Sequence, residues 1–435
     1  MKTPEEFLED NGFEVRTLDR AALLAAFQRE MEEGLAGRPS SLQMIPSYVS
    51  PEGELRRDVP VTVLDAGGTN LRGATVCFPS GADGATIEHR EKGQMPGATS
   101  HVTPDEFYEA FAAHVRRTAP FAKDPSIGFC FSYACETSRE GDGRLLYWTK
   151  QIQAPDVIGQ WVGAELARRL DPRPPRILVL NDTVTTLLAG KSMEKPGTRR
   201  SAYIGFILGT GTNVAYVEKN KNILKAQPLD PAGTMVIDAE SGGFGKIRQS
   251  AFDRAMDAKT HDAGKQVFEK MISGAYLGRL GLEVLKAASR EGFFSKEAAG
   301  IMALGSLESL DLDNFCASIK TDRANPLDRI FADENDRRIA RRLATPVFER
   351  AAILTAIHLA AFILQTGGGT DKEAPVAVCI DGSTYYKTRT VSFPKVVQGE
   401  LDALLVPRNI AFELTPCPDD APMVGAAAAV LLQAQ

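Results

Sequence analysis

The sequence predicts an α/β protein built from two related halves with a cleft between them. Three observations support this prediction: the length, the alternation of apolar strands with amphipathic helices, and a strand–glycine turn–strand unit that occurs twice. The 435 residues exceed what one ordinary hydrophobic core accommodates, so two domains are expected. With 43% hydrophobic and 24% charged residues, the composition is that of a globular protein.

The first of these units turns on a pair of glycines. Its strands are the apolar residues 61–64 and 74–78, joined at 65–72 by Asp-Ala-Gly-Gly-Thr-Asn-Leu-Arg. Glycines lack a Cβ, so their backbone N–H groups can approach an anion, and a carboxylate at a strand end can hold hydrated Mg²⁺ beside a phosphate. An ordinary tight hairpin explains this segment equally well when the segment is taken alone.

The second unit, at 204–218, repeats this order of features. A buried-type strand runs into the segment Gly-Thr-Gly-Thr-Asn at 209–213, and an apolar return strand follows. The recurrence indicates an internal duplication, and two glycine hairpins facing one polyphosphate indicate a nucleotide bound between the halves. Neither unit has the lysine of a P-loop or the third glycine of a dinucleotide fingerprint.

The other elements of the first half alternate in the α/β manner. A helix beginning near Thr17 carries an apolar face through residue 35, and a loop of low charge follows at 39–49. Further elements are expected, in order, as a strand at 85–90, a helix with a capping box and a proline from Thr103, a buried strand at 126–133, a helix at 159–170 and a strand at 176–180.

This last strand ends in Asn181-Asp182-Thr183, at a place where ligands bind in open α/β sheets. Asp182 could act as a general base, or Asp182 or Thr183 could only cap the next helix, and position alone leaves these alternatives equal. Asn181 and Lys150 favour catalysis. Phosphoryl transfer to an alcohol needs a carboxylate for the hydroxyl proton, a cation near the reacting oxygens and groups that pair with neighbouring hydroxyls.

After the second hairpin, glutamates occur in two glycine-containing segments. Glu240 lies in a strand-to-loop context at 236–245, and Glu269 lies at 264–274, where a helix opens that runs through residue 280. Each glutamate alone is most simply a surface charge. Farther on, the pattern predicts a charge-rich helical layer at 290–345, a buried helix that starts at Thr345-Pro346, and a buried strand at 376–380 with a turn at 381–384. A last helix of small residues starts at 421–422 and runs through 430; it could slide or pivot as the domains close, or it could be a tightly packed terminal helix.

Charge and cysteine content exclude several classes of protein. The formal net charge of −6 and the lack of a long basic block argue against nucleic acid and anionic membranes as partners. No apolar run is expected to span a membrane, and the polar, acidic N-terminus lacks the features of a signal peptide. The six cysteines form no Cys-x-x-Cys pair, which favours reduced core thiols and a cytoplasmic location.

Taken in order, these motifs resemble those of the hexokinase family, within the actin-like sugar-kinase superfamily, over nearly the whole chain. The segment 65–72 is similar to the family's first phosphate motif, and 209–213 to its second. Other similar segments are the mobile connecting loop at 40–49, the sugar-binding segments at 131–133, 148–150 and 181–184, a near-literal match at 268–278 and the adenosine motif at 381–383.

The resemblance implies a two-domain actin-like ATPase fold, a duplicated ribonuclease H-like unit with an inter-domain cleft. The small domain would comprise residues 58–181 and 420–435, and the large domain 1–57 and 182–419. The implied reaction is ATP-dependent phosphorylation of a hexose, above all glucose, at its 6-hydroxyl, the first step of glycolysis. Small-molecule substrates are the implied partners, and a monomer is expected, with a dimer left open.

The resemblance also implies roles for the matching residues. Asp182 would deprotonate the sugar hydroxyl, Lys150 would stabilise charge on the reacting oxygens, and Mg²⁺ carried by ATP would meet Asp65 largely through water. Residues expected to bind the sugar are Ser132, Thr149, Lys150, Asn181, Asp182, Asn213, Glu240 and Glu269. Residues expected to hold the nucleotide are Asp65, Gly67, Gly68, Thr69, Asn70, Arg72, Gly209, Thr210, Gly211, Gly382 and Ser383.

Five positions around the sugar pocket depart from the family pattern and leave sugar selectivity open. They are Ala134, Gln151, Thr185, Asp238 and Ser241, where the family usually has proline, glycine, glycine, asparagine and an aromatic residue. Two other functions remain as alternatives: a catalytically weak sugar sensor, and an actin-like ATPase that binds a protein partner. The intact catalytic pair and glycine hairpins favour the kinase.

Overall fold

The computed structural model describes residues 2–13, 15–148, 152–195 and 197–432. The strands are β1 (Ile45–Pro46), β2 (Val61–Gly67), β3 (Asn70–Cys77), β4 (Thr86–Gln94), β5 (Asp124–Phe131), β6 (Ala134–Thr137), β7 (Gly143–Tyr147), β8 (Ile177–Leu180), β9 (Ala202–Leu208), β10 (Thr212–Lys219), β11 (Thr234–Asp238), β12 (Val376–Asp381) and β13 (Phe412–Pro416). The helices are α1 (Pro4–Asp10), α2 (Arg20–Leu35), α3 (Pro104–Thr118), α4 (Val162–Ala167), α5 (Asp182–Ser192), α6 (Ala251–Asp257), α7 (Glu269–Ile272), α8 (Leu277–Arg290), α9 (Ser309–Cys316), α10 (Pro326–Ile330), α11 (Glu334–Gln365), α12 (Ser383–Lys387), α13 (Phe393–Leu405) and α14 (Ala421–Leu432).

Two mixed sheets organise the chain, and they share one plan. The five-stranded sheet has the order β4-β3-β2-β5-β8, and the six-stranded sheet has the order β1-β11-β10-β9-β12-β13. In each, three antiparallel strands continue into two parallel strands: β2 with β5 and β8, and β9 with β12 and β13. The six-stranded sheet has one strand more, β1, which pairs antiparallel with β11. This shared plan agrees with the predicted duplication and the predicted α/β fold. The proposed domain bounds stay a prediction.

Helices α5 and α14 pack closely between the two sheets because glycines remove side chains at the contact points. An added Cβ at Gly425 of α14 would lie 1.9 Å from the Thr185 carbonyl oxygen of α5. One at Gly128 of β5 would lie 2.3 Å from the Ala426 oxygen of α14, and one at Gly205 of β9 would lie 2.6 Å from the Thr183 oxygen of α5. Close packing of the small-residue helix is thus confirmed.

Helix α11 is the long core helix, and its start was predicted wrongly. Asp333 caps it, accepting from the N–H groups of Asn335 at 2.9 Å and Asp336 at 3.0 Å, so Pro346 lies inside the helix and not at its first turn. By length and composition α11 could cross a membrane, which the sequence expectation denied, but 89% of its most apolar window is buried inside the protein. Its burial identifies it as a core helix.

Other helix boundaries differ from the predicted ones for local reasons. The Asp19 side chain, not Thr17, caps α2 by accepting from the Ala22 N–H at 2.9 Å. The helix expected from 264 to 280 is divided into α7 and α8. The Thr103 capping box is confirmed, since Thr103 and Glu106 satisfy each other's backbone N–H groups. The six cysteines are free thiols.

Candidate active site

The first glycine hairpin presents an open two-residue turn. Gly67 pairs with Asn70 across the β2–β3 ladder, so Gly68 and Thr69 form the turn. Gly68 has a φ of +64°, and an added Cβ there would meet no atom within 4 Å. The carbonyl oxygens of the turn are held elsewhere: the Tyr133 hydroxyl donates to that of Gly68 at 3.1 Å, and the Met95 N–H donates to that of Thr69 at 2.9 Å. The turn is thus fixed in shape while its outer face stays open.

A chain of alternating charges lies beside this turn. Arg72 faces Asp65 across the hairpin and donates from Nε to its Oδ2 at 2.7 Å. Arg72 also donates to Asp420 Oδ1 at 3.1 Å, and Arg90 donates to Asp420 Oδ2 at 2.8 Å. Asp65 is only 5% exposed, and its burial raises the pKa of its carboxyl, against the opposing effect of Arg72. Asp65 therefore already has a cationic partner.

Asp182 is the first residue of α5, and its carboxylate is not the helix cap. The Asn181 side chain takes that role, because its Oδ1 accepts from the Thr183 N–H at 2.8 Å. The alternative that Asp182 or Thr183 caps the helix is therefore wrong. The Asp182 backbone carbonyl accepts from the hydroxyls of Thr185 at 2.8 Å and Thr186 at 2.9 Å, which anchors the first turn. The half-buried carboxylate remains at the cleft wall.

A cleft of about 650 Å³ joins these groups. It brings together predicted residues of both kinds, namely Asp65, Gly67, Asn70, Arg72, Ser132 and Asp182. Ile207 of β9 and Asp381 of β12 add a wall from the six-stranded sheet. Because the hydroxyl-binding candidate Ser132 and the phosphate-binding candidate Arg72 line the same cavity as Asp182, a carboxylate base, an alcohol and a phosphate can meet there.

The second glycine hairpin is packed against neighbouring backbone. Its turn is Gly209 to Gly211, and the Gly209 carbonyl accepts from the Gly274 N–H and from the Thr384 hydroxyl, both at 2.8 Å. Gly382 has a φ of +122°, and a Cβ there would lie 2.1 Å from the Leu208 oxygen. The adenosine-motif candidates Gly382 and Ser383 therefore lie directly against this turn.

Acidic and amide side chains gather beyond the second hairpin. The Thr212 N–H donates to Glu269 Oε2 at 2.9 Å, and Asn213 Nδ2 donates to Asp238 Oδ1 at 2.7 Å. Glu240 adopts a left-handed backbone with a φ of +50°. Burial raises the pKa of Glu240 well above its usual range, and the carboxylates of Asp238, Asp182 and Glu269 raise it further. Burial likewise raises the pKa of Glu269.

Three of the residues that depart from the family pattern can be placed by their local structure. Ser241 donates to Asn213 Oδ1 from its N–H at 3.1 Å and from its hydroxyl at 3.4 Å. Thr185 is fully buried and uses its hydroxyl within α5, and Ala134 begins β6. The predicted residues Thr149 and Lys150 and the departure Gln151 lie outside the described residues.

Sequence reasoning missed the basic residues of β4 and their acidic partner. Lys92 lies opposite Arg72 in the β3–β4 ladder, and it lines the cleft together with Arg90. The available signal was the spacing of two between Arg90 and Lys92, which puts both on one face of a strand beside the glycine turn. Asp420 was missed because only the folded chain brings it to Arg72.

Comparisons with known proteins agree with this geometry. Two family models, both described as hexokinase, match residues 5–192 and 203–432. Hexokinase-2 of Solanum tuberosum is 31% identical over 388 residues, covering 82% of this chain and 76% of that protein. Glucokinase of Aspergillus niger is 29% identical over 407 residues, covering 82% of each. The structure of hexokinase from Schistosoma mansoni complexed with glucose superposes with a TM-score of 0.76 and 26% identity, over 99% of this chain and 100% of that one.

Proposed function

The chain belongs to the hexokinase family, and we propose that it phosphorylates a hexose, glucose foremost, at the 6-hydroxyl with ATP, releasing hexose 6-phosphate and ADP. The observation that carries this proposal is the Asp182 carboxylate in the same cleft as Ser132 and the Asp65–Arg72 pair. A base, a hydroxyl-binding group and a phosphate-binding hairpin in one cavity are the parts that phosphoryl transfer to an alcohol needs.

Asp182 is proposed as the general base. Its carboxylate takes the proton of the primary hydroxyl while the hydroxyl oxygen bonds to the γ-phosphorus and the bond to the ADP oxygen breaks. Asn181 caps α5 and so fixes the backbone from which Asp182 projects. Lys150, which lies outside the described residues, is proposed as the cation near the transferring oxygens.

The phosphates of ATP are proposed to lie against the open turn of the first hairpin. Gly68 leaves free space there, and Arg72, Arg90 and Lys92 supply positive charge nearby. The donor set fits a hydrated Mg²⁺, since Asp65 offers one carboxylate that is already ion-paired and therefore suits contact through water. When bound with ATP, Mg²⁺ neutralises charge on the phosphates.

The sugar is proposed to lie between Ser132 and Asn181 on one side and Asn213, Glu240 and Glu269 on the other. Carboxylates and amides accept hydrogen bonds from hydroxyl groups, and low exposure strengthens these bonds. We further propose that the protein acts in the cytoplasm as a monomer, for which the six free thiols and the ordinary overall composition are the support.

The test is hexose-dependent ADP release by the wild type, by Asp182→Asn and by the control Asp83→Asn, an exposed loop position. We expect kcat to fall by about 10²–10⁴ in Asp182→Asn, because the amide cannot accept the proton. Glucose affinity, measured separately without ATP, should stay within about tenfold. ATP turnover that ignores sugar, or an unchanged kcat in Asp182→Asn, would contradict the proposal.

A further inference from the structure

Asp238 connects two residues of the proposed sugar site. It ends β11 and is 6% exposed, at a position where the resemblance leads one to expect asparagine. Its Oδ1 accepts from Asn213 Nδ2 at 2.7 Å and from the Glu240 N–H at 3.3 Å. A single carboxylate oxygen therefore orients the Asn213 amide and the backbone from which Glu240 projects.

Among the residues that the structure describes, the ionisable groups that face Asp238 are acids. The neighbouring strands contribute Ile45 from β1 and Ala215 from β10, which carry no charge. Across a small void of about 20 Å³ lie Asn181 and the Cys135 thiol, and the carboxylates of Asp182 and Glu240 act on the same region. Lys150 lies outside the described residues.

Carboxyls that share one buried region with little water do not ionise independently. Burial and, to a smaller extent, the Asp182 carboxylate raise the pKa of Asp238 to about 7, even though the N–H donors of Asn213 and Glu240 favour its ionised form. The pKa of Glu240 is raised as well, and Asp238 is one of the causes. The two carboxyls therefore titrate as a pair that keeps a proton into the neutral range.

We propose that Asp238 is a positioning residue that makes hexose affinity depend on pH, with tight binding while the Asp238–Glu240 pair retains one proton and weaker binding once both carboxyls are ionised. With one shared proton, the pair carries a single negative charge beside the sugar hydroxyls. Without it, the sugar must cover two buried like charges, which costs binding energy. This inference rests on the proposed hexokinase function.

The first experiment measures the KM for glucose and kcat between pH 5.5 and 8.5 at saturating Mg-ATP, for the wild type, Asp238→Asn and the control Asp83→Asn. Above the transition the wild-type KM should rise up to about tenfold per pH unit, as loss of one linked proton requires. This rise should be absent in Asp238→Asn and unchanged in Asp83→Asn, while kcat changes little between the three. The same slope in Asp238→Asn and wild type would overturn the inference.

A second variant, Asp238→Ala, tests whether Asp238 positions Asn213 through its acceptor oxygen. Asp238→Ala removes the acceptor for Asn213 and should raise the glucose KM at every pH, whereas Asp238→Asn keeps an acceptor oxygen and should alter only the slope. Equal behaviour of the two variants would overturn the positioning role. Glucose affinity measured without ATP distinguishes the two hypotheses: a pH slope in binding without any turnover would refute the kinase, and normal turnover without a slope would refute only the role of Asp238.

Unfolding in urea gives a readout independent of sugar. Because the pKa of Asp238 is higher in the folded protein than in the unfolded chain, its contribution to stability is present at low pH and is lost as the pH rises through about 7. The stability of Asp238→Asn relative to the wild type should therefore increase from pH 5 to pH 8. A difference that does not change with pH would contradict the proposed titration.

Discussion

The two glycine hairpins occupy equivalent places in their sheets but have different surroundings. Both join antiparallel strands next to a parallel strand, β5 in one sheet and β12 in the other. The first hairpin has a two-residue turn that faces open space and an ion pair between Asp65 and Arg72. The second has a three-residue turn that lies against the backbone at Gly274 and Gly382. The first hairpin therefore places charged side chains beside an open turn, whereas the second forms a turn that is closely packed against neighbouring backbone.

The glycines of the two turns are therefore required for different reasons. Gly68 has a positive φ and free space around it, so its conformation limits substitution. Gly211 is not among the positive-φ glycines, but an added Cβ would lie 2.5 Å from Glu269 Oε2. Space limits substitution there. Equivalent turns in a duplicated fold have thus come to depend on glycine through separate constraints.

The largest loss in the free energy of unfolding is expected at Gly382, where a positive φ and a lack of space both oppose a side chain. Gly382→Ala combines a φ of +122° with a Cβ 2.1 Å from the Leu208 oxygen, so the backbone of the second hairpin must move. We expect the free energy of unfolding to fall by about 3 kcal/mol or more, measured by urea unfolding. The matched control is Gly399→Ala, an exposed position in α13 with no atom near the added Cβ, which should slightly stabilise the protein. Equal effects of both variants would show that the second hairpin is not constrained by its neighbours.

The local sequence pattern was enough to predict both hairpins and several strands, but it did not predict contacts between residues far apart in the chain. Residues 65–72 and 209–213 carry their glycines and flanking apolar strands in sequence, and the Thr103 capping box is complete within four residues. By contrast, the choice of Asn181 over Asp182 as the cap is a matter of side-chain geometry. The contact between Arg72 and Asp420 joins residues far apart in the chain, which no local signal records.

The difference between local pattern and the folded structure also explains why the start of α11 was predicted wrongly. A proline usually marks a first turn, so Pro346 suggested a start for α11, but Asp333 had already capped the helix upstream. Pro346 is tolerated inside because the rest of α11 is held by burial in the core. At the site, the residues of the proposed sugar pocket were predicted from the resemblance, while the contacts of Asp238 required the folded structure.

A smaller effect is expected from removing the charge of the first hairpin. Arg72→Met leaves Asp65 buried without its partner, but Arg72 is about one third exposed, so we expect a loss of about 1–2 kcal/mol in the free energy of unfolding. The pKa of Asp65, already raised, should rise further, so the loss should be greater at pH 8 than at pH 5. The KM for Mg-ATP should increase about tenfold. Arg173→Met, at an exposed position, is the control, and an unchanged KM for Mg-ATP in Arg72→Met would contradict a charge role for this hairpin.

Effects of similar or smaller size give the sharpest comparison, because the two turns should rank the same substitutions in opposite order. Gly68→Ala places an L side chain at a φ of +64° in open space, which should cost about 1–2 kcal/mol, and Gly68→Asn should cost less because asparagine tolerates the left-handed region. At Gly211 the larger asparagine should cost more than alanine, since Glu269 already fills the space. The four free energies of unfolding, measured in urea under one condition, decide the matter. If both turns preferred asparagine, or both preferred alanine, one constraint would limit both glycines. The distinction between a first turn limited by backbone conformation and a second turn limited by space would then be wrong.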